Sequence, residues 1–225
     1  MEKVGFIGLG AMGAPMAWNI KKAGYGLGVY NRSPDKTAPF REQGITVHAT
    51  PAALAQSSDV VIIMVFGPQA LQEVLSGASG LCSGLRQGSL VINMSTVSRE
   101  ATIAAAAAVE AQKALFLDAP VAGSKKPAQD GTLTILAGGE QALVERMTSL
   151  LKTMGRQIIY CGGIGQGTGM KLFINLLLGT LMQCFAEALC LGKALDLPLR
   201  AMLQTVANSA LACPLYAAKG AAISA

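Results

Sequence analysis

A doubly wound, mostly parallel α/β sheet followed by an all-helical region is the fold this sequence predicts, on three observations. The first is Gly8-x-Gly10-x-x-Gly13, set directly between an apolar run from Lys3 and a helix-like segment, Ala14 to Lys22. The second is an alternation of short apolar runs with helical segments as far as Tyr160. Such alternation builds a parallel sheet with helices on its faces. The third is that no strand pattern appears after Tyr160. Each glycine has its own task in a Rossmann-type dinucleotide fold. Gly8 permits the tight strand-to-helix turn, Gly10 lets the backbone approach a pyrophosphate, and Gly13 lets the helix pack on the strand. Leu9, Ala11 and Met12 complete the turn, and N–H groups at the helix start face the phosphates.

The elements then follow in order. Leu27 to Tyr30 is a second strand, ending in Asn31-Arg32-Ser33-Pro34. Ser33 as N-cap and Pro34 at the first position suit a helix to Gln43. A short strand near Ile45 to Val47 and a helix from Pro51 to Ser57 come next. Val60 to Phe66 is a continuous apolar run, as expected of a strand buried on both faces. Gly67-Pro68 breaks it and opens a helix to about Leu75. Leu90 to Asn93 is a strand leading into Met94-Ser95-Thr96. Ser98 caps an alanine-rich helix, Arg99 to Gln112, whose Ala104 to Ala108 run is good helix former. Leu115 to Asp118 and Leu133 to Ala137 are strands, Glu140 to Lys152 a helix, and Gln157 to Tyr160 the last strand. From Thr168 to about Ala194 the chain reads as one long helix, apolar on nearly every face. Two helical segments follow, Pro198 to Ala210 and Pro214 to Lys219. The domain boundary is expected near Gly162, giving a cofactor-binding domain over 1–162 and a helical domain over 163–225.

Composition bounds the function. A chain of 225 residues is long enough for one full core plus a smaller unit. A hydrophobic fraction of 52% raises the membrane question. The charge-free stretch Leu172 to Ala186 is shorter than a spanning helix needs and carries Asn175 and Gln183, so a helix buried within or between domains is expected. Glu2 and Lys3 precede a strand the fold needs, so no leader is expected. The five cysteines form no C-x-x-C pair and are odd in number, which fits reduced thiols in a cytoplasmic protein. His48 is the single histidine and falls in an early loop, so neither a histidine triad nor a histidine metal cluster is expected. The net charge of +5 is scattered and aromatics are 5%, against a nucleic-acid stripe and for a small anionic substrate.

The end of the second strand bears on the cofactor. An NAD site places an acidic residue about 20 positions past the glycines, on the ribose 2′-hydroxyl. Asn31 and Arg32 stand there instead. A guanidinium pairs with a 2′-phosphate, so NADP(H) is expected; the alternative is a solvated arginine in a turn. Ligands of open α/β sheets bind beyond the carboxyl ends of the strands. Ser95, Thr96 and the loop Ala119 to Pro127 fall there. That loop offers backbone N–H groups and two lysines, suited to a carboxylate or simply to solvent. Lys171 is the only charge in the long helix before Glu187, and Asn175 is at i+4 on the same face. Desolvation would ready its ammonium to give up a proton; the other reading is a snorkelling lysine.

Three stretches together resemble the β-hydroxyacid dehydrogenase family. Gly8 to Ala17 is similar to its cofactor motif, Asp118 to Ser124 to its substrate motif, and Gly165 to Asn175 to its catalytic motif. Ser124-Lys125-Lys126-Pro127-Ala128 with Asp130-Gly131 resembles the glyoxylate/succinic semialdehyde reductase branch, which uses NADPH. The resemblance implies that Lys171 donates the proton and Asn175 orients it. It implies that Val65 and Thr96 line the cofactor site, and that Thr96, Ala122, Gly123 and Ser124 meet the substrate. The family's usual serine before Gly123 is Ala122 here, which removes one hydroxyl from the expected carboxylate cradle. Further helices are expected in such proteins, so the helical domain reads as truncated. The expected activity is NADPH-dependent reduction of glyoxylate or succinic semialdehyde by a homo-oligomer. A 3-hydroxyisobutyrate dehydrogenase, a tartronate semialdehyde reductase, or a non-catalytic nucleotide-binding module are the alternatives.

Overall fold

Short apolar runs become the inner strands here because each is buried on both faces. In the computed structural model, which describes residues 2–224, β1 (Lys3–Ile7), β2 (Gly26–Tyr30), β3 (Thr46–Val47), β4 (Val60–Ile63), β5 (Leu90–Asn93) and β6 (Leu115–Asp118) are parallel, in the order β3-β2-β1-β4-β5-β6. The sheet continues through β7 (Val121–Ala122), β8 (Leu133–Gly138) and β9 (Gly155–Gly162). β8 runs antiparallel to β6 and β7 and parallel to β9. The sheet is thus mostly parallel and doubly wound, as expected from the sequence.

Alternate residues of one strand enter opposite cores. Phe6, Ile62, Ile92 and Leu117 lie in one cluster, while Ile7, Val61, Ile63, Val91 and Phe116 lie in the other. The first face is covered by α1 (Gly13–Lys22) and α8 (Gln141–Leu151), and Trp18 of α1 stacks on Phe40 of α2 (Ala38–Glu42) with ring centroids 4.3 Å apart. The second face takes α3 (Pro51–Gln56), α4 (Gly67–Leu75), α5 (Leu81–Gly84) and α6 (Arg99–Glu110). α6 turns Thr102, Ala105, Ala106 and Val109 inward, the i, i+3, i+4, i+7 spacing of one helical face. Its cap is Ser98, whose hydroxyl accepts from the Ala101 N–H at 3.2 Å.

Several expected elements are redrawn. The strand from Val60 stops at Ile63, not Phe66. Val65 donates its N–H to the Ser95 hydroxyl at 3.0 Å, and Phe66 is 99% exposed. Pro34–Thr37 forms a 3₁₀ turn before α2, and Ser33 makes no side-chain cap. The expected loop from Ala119 to Pro127 instead contains β7 and the start of α7 (Lys125–Asp130), so both its lysines are helical.

The chain divides into two compact units, Met1–Lys171 and Leu172–Ala225. β9 closes at Gly162, and the first turns of α9 (Gln166–Ala194) pack with the first unit as far as Lys171. In the second unit, α9 continues and is followed by α10 (Leu199–Ala207) and α11 (Pro214–Ser224). Phe185 is buried and stacks on Tyr216 at 4.5 Å, and the Tyr216 hydroxyl donates to the Leu181 carbonyl at 3.1 Å.

The sequence argument for a buried helix does not hold within the chain. α9 has 29 residues, long and apolar enough by length and composition to cross a membrane, and little of it is buried. Phe173 is 57% and Leu176 70% exposed. The length that decides is that of the whole helix, not of its charge-free run.

Candidate active site

The parallel strands bring their carboxyl ends to one edge, and the sheet order sets the loops after β2, β1, β4, β5 and β6 side by side. The glycine turn lies at the middle of this edge. Gly8 has φ +98°, and its N–H donates to the Tyr30 carbonyl at 3.1 Å. A Cβ at Gly8 would strike the Met64 carbonyl oxygen and lie 3.2 Å from the Val65 side chain. A Cβ at Gly13 would strike the Gly8 carbonyl oxygen. Both glycines are therefore required by close backbone packing. At Gly10 a Cβ would meet nothing within 4 Å, and the residue is exposed. Its lack of a side chain serves no neighbour in the protein and leaves room for a ligand.

Asn31 has a role the sequence did not indicate. Its Oδ1 accepts the Leu9 N–H at 2.8 Å, and its Nδ2 donates to the Ser33 carbonyl at 3.0 Å. Asn31 therefore ties the end of β2 to the glycine turn. The same bond removes the Leu9 N–H from the donors open to a phosphate, and the Leu9 side chain is buried. The N–H groups of Gly10, Ala11 and Met12 have no protein acceptor among the described residues. No acidic residue lies in the first turn of α1. This open, donor-rich turn fits a dinucleotide pyrophosphate. Arg32 is largely exposed and sits 3.6 Å from the Glu73 carboxylate of α4.

Ser95 and Thr96 part company. Ser95 is fully buried, accepts from Val65 and takes its own N–H bond to Asn93 Oδ1 at 3.1 Å, so it is structural. Thr96 is exposed at the edge. Asn93 Nδ2, at the end of β5, is buried without a partner among the described residues. Ala122 is half-buried and pairs with Thr134, while Gly123 and Ser124 are exposed. Gly123 has φ +134°, and a Cβ there would press on Leu133 and Pro127. Lys125 and Lys126 are exposed, and Lys126 pairs with Asp130 at 2.6 Å within α7.

Lys171 is the last residue of the first unit and half-buried. Burial pulls its ammonium below the ordinary lysine value, because the charged form loses hydration. Asn175 lies one turn further along α9 and is half-buried. His48 follows β3 and stands 3.2 Å from the Ser57 hydroxyl, with its pKa lowered by burial. Among the described residues no group of His, Cys, Asp and Glu is arranged to hold a metal.

Asp118 is the site residue whose role sequence reasoning missed. It is fully buried at the end of β6 and accepts the Gly165 N–H on Oδ1 at 3.0 Å and the Thr168 N–H on Oδ2 at 2.7 Å. Only its place in a motif hinted at importance; the partners lie 47 and 50 residues away.

Residues 3–163 match the NAD binding domain of 6-phosphogluconate dehydrogenase. A chloroplastic glyoxylate/succinic semialdehyde reductase 2 of Arabidopsis thaliana is 35% identical over 96% of this chain and 61% of its own length. The mitochondrial 3-hydroxyisobutyrate dehydrogenase of Mus musculus is 41% identical over 84% of this chain and 56% of its own. Among solved structures, a Mycobacterium tuberculosis 3-hydroxyisobutyrate dehydrogenase with L-serine is 28% identical, with a TM-score of 0.88 over 96% of this chain and 73% of that one. The chain thus spans about three-fifths of the length of these two curated relatives. The first unit carries a nicotinamide dinucleotide-binding domain.

Proposed function

Since the chain belongs to the β-hydroxyacid dehydrogenase family, we propose that it is an NADPH-dependent reductase of small aldehyde-acids, with glyoxylate and succinic semialdehyde as its substrates. The observation that carries this reading is Lys171, half-buried and with its ammonium pulled below the ordinary lysine value. Bound NADPH supplies a hydride to the aldehyde carbon. The oxygen then gathers negative charge, and Lys171 gives it a proton. Asn175, one turn on, holds the lysine or the oxygen in line. The backbone of Gly123 and the Ser124 hydroxyl receive the substrate carboxylate, with Thr96 at the reacting end. Val65 packs beside the glycine turn, and Gly10, Ala11 and Met12 offer their N–H groups to the pyrophosphate.

A second reading is oxidation of 3-hydroxyisobutyrate, favoured by the 41% identity to the mouse enzyme. The two are separated by following NADPH oxidation with glyoxylate and succinic semialdehyde, and NAD(P)⁺ reduction with 3-hydroxyisobutyrate. Faster turnover of the hydroxy acid would reverse the assignment.

The NADP preference is supported by Arg32 and by the absence of an acidic residue at the end of β2. A 2′-phosphate would compete with Glu73 for the guanidinium. Arg32→Ala is expected to weaken NADPH binding roughly 10- to 100-fold, the worth of a charge-assisted bond. NADH affinity should be little changed in a fluorescence titration. Equal loss for both cofactors would show that Arg32 does not read the 2′ position.

A homo-oligomer belongs to the same reading. Several large apolar residues of α9 are exposed, among them Phe173 and Leu176, and a contiguous apolar surface of this kind marks an interaction face. Sedimentation at micromolar concentration should give a species larger than 23.1 kDa; a well-behaved monomer would count against it. A cytoplasmic, reducing location is also proposed, supported by five unpaired cysteines.

A further inference from the structure

Asp118 is a buried carboxylate that none of the ion pairs among the described residues includes. Its charge is met by backbone instead: the N–H groups of Gly165 and Thr168, at the start of α9. The first N–H groups of a helix lack intrahelical acceptors, and a side chain at the N-cap normally supplies one. Gly165, the residue before α9, has no side chain to do so and is held at φ +85°. Asp118 therefore caps this helix from another element, with the positive end of the helix dipole facing the carboxylate.

The seat is rigid. A Cβ at Gly167 would strike the Leu136 carbonyl and come within 2.8 Å of the Asp118 carbonyl, and one at Gly138 would strike the Asp118 carboxylate. The helix start thus rests on the backbone of β6 and β8. Thr168 and Thr102 share a buried hydroxyl–hydroxyl bond of 2.9 Å, which ties the same turn to α6. Lys171 follows Thr168 by three residues, so it rides on the turn that these contacts fix. An apolar residue would close the end of β6 at less desolvation cost than a carboxylate. What the carboxylate adds is direction, because its two oxygens engage two separate amides.

We propose that Asp118 is a positioning residue for Lys171: its carboxylate sets the seating of the first turn of α9 and thereby the place of the ammonium. The proposal rests on the reading of Lys171 as the proton donor. Asp118→Asn keeps the shape but turns an NH₂ toward an N–H donor, which loosens that turn. In the full chain, Asp118→Asn should lower kcat about 10- to 100-fold, the scale of a misplaced reacting group, with the NADPH dissociation constant within twofold of wild type. Added to Lys171→Ala, it should lower the residual rate no further, since its effect passes through the lysine. Unchanged kcat in Asp118→Asn, or an equal loss on the Lys171→Ala background, would overturn the proposal.

Amide exchange tests the cap without activity. In the wild-type protein Gly165 and Thr168 should exchange at least tenfold more slowly than Ala11 and Met12 before α1, whose N–H groups have no protein acceptor among the described residues and which no side chain caps. Equal exchange would overturn the proposal even if Asp118→Asn fails to fold. Full turnover in Lys171→Ala, with Gly165 and Thr168 protected, would instead remove the proton-donor reading and with it the catalytic meaning of the cap.

Discussion

Lys171→Ala is expected to lose about 10²- to 10⁴-fold in turnover, the usual contribution of general acid catalysis, while binding NADPH as wild type does. In the proposed reaction, hydride transfer would leave charge on the aldehyde oxygen, and a positioned acid would have to discharge it. Among the alternatives, His48 is at the β3 edge against Ser57, and Ser95 is fully buried with its hydroxyl in use. Lys171→Arg should fail as well, because a guanidinium does not release its proton near neutral pH. Stopped-flow and steady-state assays with glyoxylate and succinic semialdehyde read the loss directly. Near-normal turnover in Lys171→Ala would mean that the proton comes from elsewhere.

The same residue gives a pH dependence with a defined sign. The donor must be protonated, so turnover should fall as pH rises through a lysine value lowered from 10.5 by burial. Stability runs the other way. In the window between the lowered value and 10.5 the unfolded chain holds more protons than the folded one, so stability rises with pH there. Below that window the charged lysine is buried at a cost. Lys171→Met should therefore raise the melting temperature slightly at neutral pH while abolishing turnover, the pattern of a residue kept for activity against stability.

The second large effect concerns the three glycines of the first turn, which should divide into two classes. Gly8→Ala combines a positive φ with a clash against the Met64 carbonyl, and Gly13→Ala pushes into the Gly8 carbonyl. Neither obstacle is a flexible side chain, so backbone must shift. Strain of this kind costs about 1–3 kcal/mol per site, a large share of the roughly 5–15 kcal/mol that holds a domain together. Both variants should melt earlier and bind NADPH poorly. Gly10→Ala meets nothing within 4 Å. It should melt like wild type without cofactor yet lose NADPH affinity by at least tenfold, because its methyl group occupies the approach of the pyrophosphate. Thermal melts with and without NADPH distinguish the classes. Equal destabilisation by all three would show that Gly10 is structural too.

What the sequence determined by itself was local or periodic. The glycine spacing, the Ser98 cap and the apolar runs that begin at Val60 and Leu90 depend on neighbours a few residues away, so strand order apart, the parallel α/β fold was legible. The candidates Gly10, Thr96, Lys171 and Asn175 were named from the glycine spacing, the strand ends and one helix face, with their roles implied by the family resemblance. Three matters were decided only by tertiary structure. Phe66 reads as strand because it is apolar, but β4 ends where the sheet edge ends, and Val65 is instead bonded to Ser95 from the loop after β5. Asn31 stands in sequence where an NAD site has its acidic residue, but its oxygen meets Leu9, 22 residues earlier. Asp118 reads as a strand terminus, but it caps a helix from 47 and 50 residues away. A long-range side-chain hydrogen bond carries no periodicity and leaves no mark in a one-dimensional pattern, so these partners became visible only when the strands brought them to the same edge.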